Sequence, residues 1–182
     1  MLSADTVQNA NGKQIKRSWS EEMDKTQSAE RKKKIVIVGL PNTGKSHIFN
    51  NLTGKYTLVG NYPFTTVNVT RGQCKIKNES CEIIDTPGLH CLYIHSEEEL
   101  VVRDLLLSEK PDVIIQCIDA NRLKQSLTLT ADLLELGVPM VLSLNAIDET
   151  ARKGMWIDSG ELSNLLGVPV VESVAVNGKG SK

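Results

Sequence analysis

The sequence predicts an α/β protein: a mainly parallel, doubly wound sheet with helices on both faces and one antiparallel edge strand. Three observations carry this expectation. Apolar, β-branched runs recur at residues 35–38, 113–118 and 138–144, the composition of strands buried on both faces. Stretches with helical periodicity at 45–52, 97–107 and 123–136 fall between them. The length, 182 residues, suits one such domain and not two.

Taken in order, residues 1–34 are polar and mixed in charge and show no usable apolar period, so this segment reads as a disordered tail. Trp19 lies within it, and its basic end, Arg31-Lys32-Lys33-Lys34, reads as a solvated flank. Order is expected to begin at Ile35 with the strand Ile35-Val36-Ile37-Val38, then a Gly-rich loop and a helix over 45–52. Residues 74–77 and 82–84 form a predicted hairpin turning at Asn78-Glu79-Ser80, which supplies the antiparallel edge. Helix 97–107, strand 113–118, amphipathic helix 123–136 closed by Gly137, and strand 138–144 follow. A short helix over 159–166 starts from Asp158 as N-cap, and strand 168–173 is last. The pattern calls for one more helix after Gly180, so the domain over 35–182 is expected to be cut before its last helix.

Composition narrows the function. The 21 basic and 22 acidic residues sum to −1, which leaves no footprint for wholesale nucleic-acid binding. Cys74, Cys81, Cys91 and Cys117 show no paired spacing and read as thiols in a reducing compartment, not as a metal or disulfide framework. The start lacks the apolar core of a signal peptide. No apolar run approaches the roughly 20 residues that cross a bilayer, so a soluble chain is expected.

Chemistry is concentrated in four boxes. Gly39-Leu40-Pro41-Asn42-Thr43-Gly44-Lys45-Ser46 matches GxxxxGK[ST] between a buried strand and a helix. Backbone N–H groups there, continuing through Ser46 to His47, point at phosphate from a helix N-terminus. Lys45 neutralises the β- and γ-phosphates, and the Ser46 hydroxyl is a Mg²⁺ ligand. Asp85-Thr86-Pro87-Gly88 ends another strand; Asp85 is placed to hold Mg²⁺ through water, and the Gly88 N–H to meet a γ-phosphate. Between these boxes, Val59-Gly60-Asn61-Tyr62-Pro63-Phe64-Thr65-Thr66-Val67 reads as a switch loop, with Thr66 the expected ligand to Mg²⁺ and γ-phosphate and Thr65 the alternative. Asn145-Ala146-Ile147-Asp148 resembles the guanine-reading NKxD box of GTPases, with Ala146 in the lysine position. The Asp148 carboxylate would accept from guanine N1–H and the exocyclic amine, a donor pair adenine lacks. Val174-Ala175-Val176 sits where GTPases place a loop against the guanine oxygen. Together these expectations describe a P-loop GTPase fold that binds GTP and GDP with Mg²⁺.

In this order the motifs resemble the ferrous iron transport protein B family, specifically its G domain. The resemblance runs from about Lys34 to Gly180 and is most particular from Asp119-Ala120-Asn121 through Asn145 and Asp148. It implies a GTPase module on the cytoplasmic side of the bacterial inner membrane, attached within the same polypeptide to a helical domain and a membrane permease for Fe²⁺. It also implies K⁺ dependence through Asn42. Leu89 stands where Ras-like enzymes carry a water-orienting glutamine, so slow hydrolysis is expected, with His90 and His95 as nearby candidates for placing water. Two other readings stand beside this one. Asn61-Tyr62-Pro63-Phe64-Thr65-Thr66 is similar to the switch of Obg-like GTPases that act in ribosome assembly, and Leu89 also suits a nucleotide-binding regulatory module with negligible hydrolysis. The oligomeric state is not legible.

Overall fold

The computed structural model describes residues 32–54, 57–178 and 180, and two short strands in the tail. The chain divides into two units, Met1–Arg31 and Lys32–Lys182. In the first, Val7–Gln8 pairs antiparallel with Gln14–Ile15 where no strand period is legible. Trp19 and Arg31 lie outside the described residues.

The second unit holds a seven-stranded sheet. Its strands are β1 (Lys33–Val38), β2 (Thr57–Asn61), β3 (Asn68–Ile76), β4 (Glu79–Asp85), β5 (Val113–Asp119), β6 (Met140–Asn145) and β7 (Val170–Ser173). They lie in the order β2-β3-β4-β1-β5-β6-β7. From β4 to β7 every pairing is parallel, while β3 is antiparallel to β4 and β2 antiparallel to β3. β3 is thus the one strand that runs against the rest, and the exposed strand β2 pairs outside it. The hairpin turns at Lys77 and Asn78, both at positive φ (48° and 68°), one residue earlier than the expected turn. β1 starts two residues before Ile35 because Lys33 and Lys34 are used: Lys33 Nζ reaches Glu79 at 2.6 Å, and Lys34 Nζ pairs with Glu109.

The helices are α1 (Lys45–Thr53), α2 (Glu97–Glu109), α3 (Leu123–Glu135), α4 (Ile147–Arg152) and α5 (Ser159–Leu166). α2 and α3 cover one face, packing Val101, Val102, Leu105, Leu129 and Leu133 on Val36, Val38, Ile84, Ile114 and Leu142. Each fully buried side chain of this size contributes roughly 1.5–3 kcal/mol. α1 covers the other face, where Ile48 and Phe49 meet Ile35, Ile37, Ile83 and Cys117. Asp158 caps α5 as expected, accepting from the Glu161 N–H, and Ser96 caps α2 by accepting from the Glu99 N–H. The parallel strands β1, β4, β5 and β6 all point their carboxyl ends to one rim, where the chemical boxes lie.

Candidate functional site

β1 delivers the chain into the loop over 39–46. Two glycines there are fixed by neighbours. A Cβ on Gly39 would overlap the Cys117 carbonyl on β5, and a Cβ on Gly44, at φ 92°, would overlap the Asn145 amide. Thr43 is buried, its hydroxyl donating to the Leu40 carbonyl at 2.9 Å. Lys45 is 7% exposed and folds back over the loop, its Nζ donating to the carbonyls of Leu40 at 2.9 Å and Gly39 at 3.2 Å. Burial pushes its ammonium pKa down, opposed by the charge of Asp85. Asn42 is exposed at φ 62°, and His47 is exposed on the first turn of α1.

Asp85 closes β4, directly beside Ile37 in register. Ser46 Oγ donates to its Oδ2 at 2.8 Å. Burial pushes the Asp85 carboxyl up, while the Ser46 hydrogen bond and the Lys45 charge pull it down. Its Oδ1 is buried with no hydrogen-bond partner. A carboxylate oxygen left bare beside a hydroxyl is a donor set suited to a hard divalent cation, and the residues present fit Mg²⁺.

Gly88 packs on the phosphate loop so closely that a Cβ would lie 2.7 Å from Pro41 Cα. Leu89 is fully buried and its N–H donates to the Gly39 carbonyl at 3.2 Å. Its side chain belongs to the core and is absent from the site surface. His90 and His95 are exposed. Of the two threonines, Thr66 shares a cavity of about 440 Å³ with Ser46, Asp85, Glu97 and Glu98. Thr65 instead serves its own turn, its hydroxyl donating to the Tyr62 carbonyl at 3.0 Å.

At the far side of the rim, β6 ends in Asn145, Ala146 takes φ 61°, and α4 begins. Asn145 is buried, its Nδ2 donating to the Thr43 carbonyl at 3.0 Å and its Oδ1 accepting from the Ala175 N–H at 2.8 Å. The amide expected to help read a base is engaged at both ends inside the protein, tying the phosphate loop to the last loop. Asp148 is half exposed and paired with Arg152 Nη2 at 2.8 Å. It lines a cavity of about 290 Å³ with Val174, Thr150 and Trp156. Val174 and Ala175 are buried, and Val176 is 77% exposed. The Ala175 N–H is spent on Asn145, and its carbonyl accepts from Asn51 Nδ2 at 2.8 Å.

Three contributors were not legible. Cys117 Sγ donates to the Thr43 carbonyl at 3.0 Å, its thiol pushed up to about 12 by burial. Arg152 braces Asp148 four residues along one helix face, a spacing that could have flagged it. Glu97 contacts Thr66 across 31 residues of sequence, and no local signal marks it.

Comparison with known proteins places this geometry. The family model for ferrous iron transport protein B matches residues 33–182. The Fe(2+) transporter FeoB of Staphylococcus aureus is 41% identical over 146 residues, covering 80% of this chain and 22% of that protein. A fused Fe(2+) transport protein A/FeoB of Porphyromonas gingivalis is 39% identical over 148 residues, 81% of this chain and 18% of that one. The chain thus spans about a fifth of the curated relatives it matches. Among solved structures, a GDP-bound point mutant of S. thermophilus NFeoB superposes with TM-score 0.79 at 40% identity, covering 83% of this chain and 58% of that one. The cytosolic domain of T. maritima FeoB in its GMPPNP form gives 0.78 at 38%, covering 82% and 59%. The FeoB G-domain of Methanococcus jannaschii gives 0.72 at 34%, covering 83% and 91%. The relatives and structures named here are all ferrous iron transport proteins or their G domains, and none is a ribosome-assembly GTPase. The chain belongs to the ferrous iron transport protein B family, and its second unit has the P-loop GTPase fold of that family's G domain.

Proposed function

We propose that this chain is the GTP-binding and slowly GTP-hydrolysing switch module of a ferrous iron transporter, working on the cytoplasmic side of the membrane ahead of a helical domain and a permease. The observation that carries the reading is the bare Asp85 Oδ1 beside Ser46 and Lys45, where a Mg²⁺-bound phosphate chain completes the donor set. Relatives of this fold are seen with GDP and with GMPPNP. No described helix is long and apolar enough to cross a membrane.

In this mechanism the phosphate loop wraps the β-phosphate with backbone N–H groups, and Gly44 keeps that approach open. Lys45 Nζ, which donates to the Gly39 and Leu40 carbonyls, turns from them to place its charge against the β- and γ-phosphates. Ser46, Asp85 and Thr66 are the residues that would hold Mg²⁺, which would supply positive charge against the phosphates. The Gly88 N–H meets the γ-phosphate. Asp148 accepts from the guanine edge while Arg152 holds its carboxylate, and Val176, past the occupied Ala175 N–H, borders the base. With Leu89 in the core, no side chain at that position orients water, so intrinsic hydrolysis is slow. Asn42, exposed on the loop, is the proposed K⁺ ligand.

Binding selectivity tests the reading. GTP and GDP bind well ahead of ATP, and Asp148→Asn moves preference toward xanthine nucleotides, because an acceptor becomes a donor. Equal calorimetric affinity for ATP and GTP in the unaltered chain overturns it. Single-turnover phosphate release in K⁺ against Na⁺ at matched ionic strength tests the cation: K⁺ is faster, and Asn42→Ala removes the difference.

A further inference from the structure

We propose that Glu97 is a built-in competitor for the γ-phosphate, clasping the switch threonine until a nucleoside triphosphate displaces it. The inference rests on the reading of this site as a guanine-nucleotide switch and adds an off-state restraint to it. Thr66 offers two donors, and one carboxylate holds both. Its backbone N–H donates to Glu97 Oε1 at 3.4 Å, and its hydroxyl donates to Oε2 at 3.3 Å. A backbone N–H has one proton, so Thr66 cannot serve Glu97 and a γ-phosphate together.

The clasp lies inside the phosphate and metal side of the site. Glu97 and Thr66 line the same cavity as Ser46 and Asp85. A carboxylate and a terminal phosphate are both anions that accept through paired oxygens. Placed against one threonine in one cavity, they compete for its donors and repel each other.

Glu97 is set on a firm mount. It is the first residue of α2, whose Val101, Val102 and Leu105 are buried in the core. The helix does not need Glu97 as its cap, since Ser96 accepts from the Glu99 N–H and Glu99 accepts from His95 N–H at 2.8 Å. The loop is tied to the same helix seven residues further on, where Tyr62 Oη donates to Asp104 Oδ2 at 2.6 Å. Between these ties Phe64 sits at φ 63°, a left-handed conformation that a bulky side chain rarely adopts, with its ring wholly exposed. No packing of that ring offsets the strain; Tyr62 and Val67 pack on the core at the two ends of the stretch, and the clasp is one of the hydrogen bonds that hold the exposed part between them.

A diphosphate leaves the clasp closed. A triphosphate opens it, and loss of the γ-phosphate lets Glu97 take Thr66 back. Glu97 therefore weakens triphosphate binding selectively. The opposite sign holds if Glu97 instead assists the metal, because its removal then weakens the triphosphate complex.

The test compares GMPPNP and GDP affinities, each with Mg²⁺, for the unaltered chain, Glu97→Ala and Glu97→Gln. Glu97→Ala is expected to bind GMPPNP about fivefold more tightly, the factor suited to two long, solvent-exposed hydrogen bonds. GDP affinity stays within about twofold. Glu97→Gln, whose amide oxygen still accepts from one donor, falls between. Unchanged or weakened GMPPNP binding in Glu97→Ala, or GDP tightening in parallel, overturns the clasp. Failure of the unaltered chain to bind either nucleotide overturns the switch reading itself and the clasp with it, while binding without a Glu97 effect overturns the clasp alone. Circular dichroism confirms that the variants fold, as substitution at this exposed position should allow.

Discussion

Asn145 joins parts of the rim that are far apart in sequence. Its amide donates to Thr43 in the phosphate loop and accepts from Ala175 in the last loop, and it crowds the Cα of Gly44. Asn145→Ala strands the buried Ala175 N–H and leaves the Thr43 carbonyl with only the weak Cys117 thiol donor. The expected loss is about 1–3 kcal/mol in denaturant unfolding, the cost of one orphaned buried group. Asn145→Asp keeps the acceptor for Ala175 but replaces the donor to Thr43 with a charge, so it fails to rescue. A loss below about 0.5 kcal/mol for Asn145→Ala, the level of an ordinary surface change, refutes the tie. At this scale the sequence shows residue types well and partners poorly. GxxxxGKS and DTPG announce Lys45, Ser46 and Asp85 because phosphate chemistry fixes both identity and spacing. Asn145 was legible as important, but its service to Thr43 crosses 102 residues and nothing local reveals it. The sequence already preferred Thr66 to Thr65, but not for the local reason the structure shows: Thr65 gives its hydroxyl to the Tyr62 carbonyl, while Thr66 lines the cavity.

Among the elements, α2 links the switch to the sheet. Its first residue meets Thr66, and its last, Glu109, accepts from Lys34 on β1 and, at 2.6 Å, from Arg71 on β3. Burial pushes the Glu109 carboxyl up, but the hydrogen bonds from Lys34 and Arg71 outweigh it, leaving the pKa below the ordinary 4.5. A depressed carboxyl contributes stability that is full above 4.5 and is lost as pH falls through the lower folded value. Glu109→Gln should therefore cost about 1–2 kcal/mol at neutral pH, between the usual exposed and buried ion pairs. The gap from the unaltered chain should shrink as pH falls below 4.5, read from urea midpoints across that range. A gap independent of pH refutes the ion-pair account. α1, α2 and α3 were legible because each buries one stripe on a defined face. β2 was not, since all five of its residues are exposed and no alternation remains. β3 puts Val69 into one core and Cys74 into the other, which erases the two-residue period. α4 has six residues and starts from a left-handed Ala146, too short to show a helical period.

For the molecule as a whole, the two faces of the sheet are unequally covered. α2 and α3 seal one side, whereas α1 alone lies over the other. Beside α1 runs a groove of about 600 Å³ lined by Ile48, Leu52, Ile115, Val141 and Val171. These side chains come from α1 and from β5, β6 and β7, three neighbouring strands of the sheet. Val171 is 38% exposed, unusual for an apolar residue of a parallel strand. The chain spans about a fifth of its curated relatives, and we propose as the occupant a helix from the part of such a protein that the chain does not span. A helix with one apolar face laid there would remove these side chains from water on the same surface that α1 protects. Joining such an amphipathic helix to the chain should raise Tm by about 4–8 °C, the shift that roughly 2 kcal/mol of net stabilisation makes in a domain of this size. The same extension should lower binding of a hydrophobic dye, because the groove is the surface being covered. Val171→Asp in the extended protein places a charge under the helix and should return Tm to the value of the shorter chain. In the shorter chain, where Val171 is already partly solvated, the same change should shift Tm much less. Equal sensitivity of the two lengths to Val171→Asp, or no gain on extension, shows that the groove is not the helix's seat.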